Sequence, residues 1–163
     1  MKIIGIDPGL SGGIAVLKDN KVLNIFDMPV MSEGKKNKRQ LNSAQLVSLL
    51  KDNMEHNEEI VVVVEQVNAM PGQGVTSMFN FGQTFGAIKG VCAALELPIF
   101  FVRPSKWKKH FELINASKDS SRTKAIEMYP TLSNQLAKKK DVNKSDAILI
   151  ARFYSETRLM DKN

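Results

Sequence analysis

Apolar residues along the chain alternate between short continuous runs and longer stretches with helical spacing. Residues 2–7 read as a short strand, which Asp7-Pro8-Gly9 ends because proline holds the preceding residue extended and glycine permits the turn. Gly12-Gly13 opens a second run through Leu17, Asp19-Asn20 turns the chain, and residues 21–28 return, predicting an antiparallel meander. Ile60 to Glu65 is a continuous β-branched run, the pattern of a strand covered on both faces, and Pro98 to Val102 is another buried strand. Leu46, Leu49, Leu50 and Met54 have helical spacing, with Ser43 as a plausible cap. Met78, Phe81, Phe85, Ile88, Cys92 and Leu95 follow three- and four-residue steps along a long helix. Ser120 or Ser121 is a plausible cap for a helix through Met128, and Ala147, Ile150, Ala151 and Tyr154 make the buried face of a last helix over roughly 144–158.

The polar stretches between these elements read as loops: residues 31–40, basic and expected to be mobile, and residues 68–74 around Pro71-Gly72-Gln73-Gly74. Inside the long helix, Gly82, Gly86, Gly90 and Ala94 form a second ridge. Interior glycine costs a helix about 1 kcal/mol relative to alanine, so three of them imply close approach by backbone, either the sheet or a second copy of the same helix. The order of elements predicts one α/β domain over residues 1–163, with a mixed five-stranded sheet of three antiparallel and then two parallel strands, flanked by helices. A right-handed crossover sets the first strand and the 60–65 strand side by side and parallel.

Charge narrows the partner. Lysine and arginine exceed aspartate and glutamate by 23 to 17, giving +6 and a pI near 9.4, a balance that favours a polyanion through counterion release. The single cysteine, Cys92, excludes an internal disulfide and a thiolate zinc site, and its apolar helical stripe marks it as a small buried hydrophobe. No apolar stretch approaches the roughly 20 residues of a membrane span, and the chain enters a strand at once, so a soluble, cytoplasmic protein without membrane attachment is expected.

Three acids stand at chemically expensive places. Asp7 and Glu65 close apolar runs that read as buried strands, and Asp146 opens the last helix. Each has an ordinary reading: Asp7 as a turn residue before Pro-Gly, Asp146 as a partner of the helix dipole, and Glu65 as a paired charge. The parallel crossover nevertheless brings Asp7 and Glu65 to one sheet edge, and Asp146 joins them if the last helix packs its alanine and isoleucine face across the sheet. Three clustered carboxylates repel one another unless a hard divalent cation meets them, and oxygen-only ligands select Mg²⁺ or Mn²⁺. Together with phosphate oxygens they suit two ions that activate a water and stabilise a leaving oxygen.

With these residues in view, the chain resembles the RuvC-type Holliday junction resolvases of the ribonuclease H-like superfamily. The resemblance rests on Gly5-Ile6-Asp7-Pro8-Gly9, Glu65-Gln66-Val67, Gly82-Gln83, Glu96-Leu97-Pro98-Ile99-Phe100 and Asp146-Ala147, and spans nearly the whole chain. It implies a homodimer that binds a four-way DNA junction and cuts two strands symmetrically, with Asp7, Glu65 and Asp146 as metal ligands; it names no helicase partner.

Two departures follow. Bacterial members carry an aspartate or histidine one turn before the last aspartate, where this chain has Asn143. Three residues back is about 60° around a helix, so Asn143 faces the same way and offers an amide oxygen; Asp141 lies off that face and is the slightly favoured fourth ligand if it folds in from a loop. Asn68 stands where bacterial relatives have a base-stacking aromatic, with Met70 or Phe79 as substitute apolar wedges. The segment around Trp107 resembles the family's DNA-facing region, making Lys106, Lys108, Lys109, Arg122 and Lys124 candidate phosphate contacts, against the ordinary reading of solvated surface charge. Trp107 itself reads equally as a core plug or a stacking platform.

Other functions compete. An actin-like ATPase or sugar kinase also begins with a strand, an aspartate and glycine turns, but needs two such domains. A nuclease for structured RNA and a non-catalytic junction-binding protein remain open from the sequence.

Overall fold

The computed structural model of the protein describes residues 1–34, 38–69 and 71–160. Strands β1 (Lys2–Asp7), β2 (Gly13–Lys18) and β3 (Lys21–Asp27) form the expected meander. Asp19 and Asn20 both take positive φ, the left-handed geometry that matches a two-residue hairpin to the twist of its strands. After β4 (Val30–Glu33), β5 (Lys38–Leu41) and helix α1 (Ser43–Asp52), strand β6 (Ile60–Glu65) lies parallel to β1, and β7 (Ile99–Val102) parallel to β6. The sheet order β3-β2-β1-β6-β7 is the mixed arrangement of three antiparallel and two parallel strands.

Alternation along β1 and β6 sorts the core. Ile4, Ile6, Val62 and Val64 face α1 and the long helix α2 (Val75–Ala94), whereas Ile3, Val61 and Val63 face the opposite layer. That layer consists of α3 (Pro104–His110), α4 (Ser120–Met128) and α5 (Val142–Met160). The crossing of α5 over β1 and β2 is unusually close because glycine removes the side chains in between. A Cβ on Gly5 would lie 2.2 Å from the Ala147 carbonyl oxygen and 2.8 Å from Ala151 Cβ; one on Gly13 would lie 2.7 Å from Lys144 Cα. No helix among the described residues is long and apolar enough to cross a membrane.

Five expectations need correction. The strand expected to be buried at 98–102 is the edge strand β7, where Phe100 and Phe101 are exposed and only Val102 is buried. Helix α4 is preceded by Asp119 at its cap position, so Ser120 and Ser121 lie inside the helix. The stretch expected as a mobile loop pairs β4 with β5 in a separate two-stranded ribbon, apart from residues 35–37, which lie outside the described residues. Its side chains are almost all exposed, with only Leu41 buried, so it carries no apolar period to read. The cap of α1 is Asn42, whose side chain accepts from the Gln45 amide at 3.0 Å, rather than Ser43. The glycine ridge of α2 does not touch the sheet: Gly82, Gly86 and Gly90 are exposed, and a Cβ on any of them would meet nothing within 4 Å. Met70 lies outside the described residues.

Candidate active site

The register of β1 and β6 pairs Ile6 with Val64, so Asp7 and Glu65 come next on neighbouring strands. Both continue the alternation toward the layer that holds α5, where Asp146 lies one turn into the helix, beside the Ala147 that rests on Gly5. Thus three acids from distant parts of the sequence meet at one sheet edge. Among the described residues none of them forms an ion pair, and the buried Oδ1 of Asp146 has no hydrogen-bond partner.

Their electrostatics record the crowding. Burial, then the neighbouring charges of Glu65 and Asp146, push Asp7 up to about 7, against the pull of the Gly9 backbone amide and Lys108. Burial likewise raises Asp146 to about 6; Ser121 and the lysines Lys108 and Lys118 act to lower it, and Glu65 to raise it. Burial raises Glu65 as well, opposed by a hydrogen bond from Trp107 and by Lys108. The donor set is all oxygen, it is mutually repulsive, and it includes one orphaned buried oxygen, which fits a hard divalent cation. Among the described residues no three acidic, imidazole or thiol groups close on one point as a finished metal cage.

Asp141 is not part of this group. Its Oδ2 accepts the Lys138 amide at 2.8 Å and its Oδ1 pairs with Lys144 at 2.9 Å. Burial works to raise its pKa, but these two donors win and hold it below the ordinary carboxylate range. The expected fourth ligand is therefore engaged in capping the turn 139–141 that leads into α5. Asn143 instead donates its amide to the Ser11 carbonyl oxygen, in the loop that follows Asp7.

The basic candidates separate by what they touch. Lys106 and Lys109 are exposed on α3, and Lys108, half-buried beside them, acts on all three acids. Arg122 is committed internally: its guanidinium holds Asp119 at 2.7 and 2.8 Å and the Leu136 carbonyl at 3.0 Å, so it ties α4 to the following turn. Lys124 pairs with Glu127 at 3.5 Å. Lys118, Lys139 and Lys140, which sequence reasoning missed, line a cleft of about 530 Å³ together with Asp119 and Asn143. Only the folded proximity of the 118 and 139–140 segments creates that cleft, and no spacing in the sequence signals it. Trp107 is fully buried and donates to Glu65, and so serves as the core plug, not the stacking platform. Phe79 is exposed on α2.

No protein-family model matches the sequence, and no curated protein matches it. Solved structures do. The chain superposes on Thermus thermophilus RuvC in complex with a Holliday junction substrate with a TM-score of 0.63 at 17% identity, covering 97% of this chain and 96% of that one. The fold is that of RuvC. A second Thermus thermophilus RuvC structure agrees, with a TM-score of 0.56, 20% identity and 97% of each chain covered. The RuvC fold accounts for the sheet order and for the helix that carries Asp146 across it.

Proposed function

We propose that this protein is a structure-selective endonuclease that resolves four-way or branched DNA junctions by metal-dependent phosphodiester hydrolysis. The observation that carries the reading is the meeting of Asp7, Glu65 and Asp146, without a salt-bridge partner among the described residues, on a RuvC fold and beneath a basic rim. Asp7, Glu65 and Asp146 hold Mg²⁺, two ions per site with Mn²⁺ able to substitute, and Asn143 is the better-placed fourth group now that Asp141 is engaged elsewhere. Bound ions supply an activated water and neutralise charge developing on the scissile phosphate. Lys106, Lys108 and Lys109 contact phosphates, joined by Lys118, Lys139 and Lys140 in the cleft beside Asn143, while Arg122 acts only through the fold. Two matched incisions require two sites related by a twofold axis, and the bare glycine ridge of α2 offers a surface for a homodimer.

Cleavage of a four-way junction, a linear duplex and a structured RNA, each with Mg²⁺ and with chelator, tests the reading. Asp7→Asn, Glu65→Gln and Asp146→Asn are expected to abolish junction cleavage while keeping or slightly tightening binding, since each removes a negative charge facing the phosphates. Wild-type rates in any of the three would refute the site. Preferential cutting of RNA would redirect the substrate, and metal-independent binding without cleavage would make the protein a junction binder.

A further inference from the structure

Strand β7 ends at Val102, the register partner of Glu65, and the Gln66 amide donates to the Val102 carbonyl at 2.8 Å. Helix α3 therefore begins beside the exit of β6, with Pro104 pre-set for its first turn. One turn in, Trp107 is buried among the α5-side core, and its Nε1–H donates to Glu65 Oε1 at 2.9 Å. The other oxygen, Oε2, has no hydrogen-bond partner among the described residues. Lys108, next along the same helix, places its ammonium 5.3 Å from the Trp107 ring centre. A buried indole N–H needs an acceptor, and many backbone carbonyls would serve. Here the acceptor is the one glutamate of the acidic cluster. Glutamate has more rotatable bonds than either aspartate, so it is the acid whose oxygens most need fixing.

We propose that Trp107 is a positioning residue that fixes the Glu65 carboxylate as a one-oxygen donor, occupying Oε1 and leaving Oε2 for a divalent cation. The inference rests on the metal-dependent reading of the site above, and it assigns to α3 a task separate from DNA contact. An outer donor of this kind typically changes metal affinity or activity by about 10- to 100-fold when removed. Trp107 is also the single tryptophan of the chain, so its emission reports directly on this hydrogen bond.

Mg²⁺ alone is titrated into wild-type protein while tryptophan emission is followed, and Mg²⁺ affinity is measured by calorimetry for wild type and for two variants. One is Trp107→Phe. The other carries at position 107 the tryptophan analogue in which sulfur replaces the ring N–H, which keeps the shape and removes only the donor. A saturable emission change in wild type is expected, lost in Asp146→Asn, with about 10- to 100-fold weaker Mg²⁺ binding in both position-107 variants and unchanged junction binding in chelator. Wild-type Mg²⁺ affinity in the sulfur analogue, or Mg²⁺ saturation of wild type without an emission change, would overturn the proposal. If Trp107→Phe does not fold, the sulfur analogue and the wild-type titration still decide. Mg²⁺ binding with the emission change but no nucleic-acid cleavage would sink the nuclease reading and leave the positioning role standing.

Discussion

With burial and neighbouring carboxylates holding Asp7 up to about 7 and Asp146 up to about 6, the metal-free site favours protonated acids. Both values lie above the ordinary aspartate range, so the folded state binds more protons than the unfolded state between about pH 4 and pH 7. Stability from these groups is therefore full below about pH 4 and is lost as pH rises through 6 and 7. In chelator, the melting temperature of wild type is expected to fall between pH 5.5 and pH 8 more steeply than that of Asp7→Asn, and added Mg²⁺ should restore more at pH 8 than at pH 5.5. Parallel slopes for wild type and Asp7→Asn would show that no such strain exists. Asp141 presents the opposite case, a carboxylate whose two partners hold it ionised. Asp141→Asn is expected to cost about 1–3 kcal/mol of stability, by chemical denaturation, because Lys144 loses the nearer and more buried of its two anions and keeps only the exposed Asp27 at 3.8 Å. Single-turnover cleavage per folded molecule should change less in Asp141→Asn than in Asn143→Ala. The i,i+3 spacing of Asp141 and Lys144 was the sequence signal for this pairing, whereas the Trp107 bond to Glu65 spans 42 positions and left no trace in any local pattern.

At the scale of elements, the legible parts of the fold were those with an apolar period. The five sheet strands, the crossover and the buried face of α5 follow from runs of valine and isoleucine and from three- and four-residue steps. The ribbon of β4 and β5 escaped because an exposed two-stranded unit has no buried face to impose alternation. Asn42 and Ser43 are both good caps, and only the geometry of the turn separates them. Asp7, Glu65 and Asp146 were legible as a group because strand ends and a helix start are fixed by the same pattern; the groove of Lys118, Lys139 and Lys140 was not, since it exists only after α4 meets the turn at 139–141. The approach of α5 to β1 makes a further expectation. Gly5→Ala forces a methyl group against the Ala147 carbonyl and Ala151, at a cost of about 1–3 kcal/mol or more, and lifts the helix that carries Asp146. Both the melting temperature and the cleavage rate should fall; a variant with unchanged activity would mean that the helix position does not set the site.

For the whole molecule, α2 presents three exposed glycines and an exposed Phe79, with Phe100 and Phe101 exposed on the edge strand β7. Because a Cβ at Gly86 meets nothing, Gly86→Ala should stabilise an isolated subunit by about 1 kcal/mol through helix propensity. Gly86→Leu should keep the fold and, on the proposal that α2 joins two copies, separate them. Sedimentation of wild type and both variants checks this: a wild type that stays monomeric on a junction would remove α2 as an interface, and with it the symmetric pair of incisions.

The two contacts that seat α5, at Gly5 and Gly13, are meetings of hard atomic surfaces and not of charges. Close-packed interiors barely compress, and salt screens charges without altering van der Waals radii. The spacing of Asp146 from Asp7 is thus decoupled from the ionic atmosphere that would govern how firmly a +6 protein holds the nucleic acid proposed as its substrate. Ionic strength acts on arrival and residence, while the width of the site is a steric constant written in two missing methyl groups.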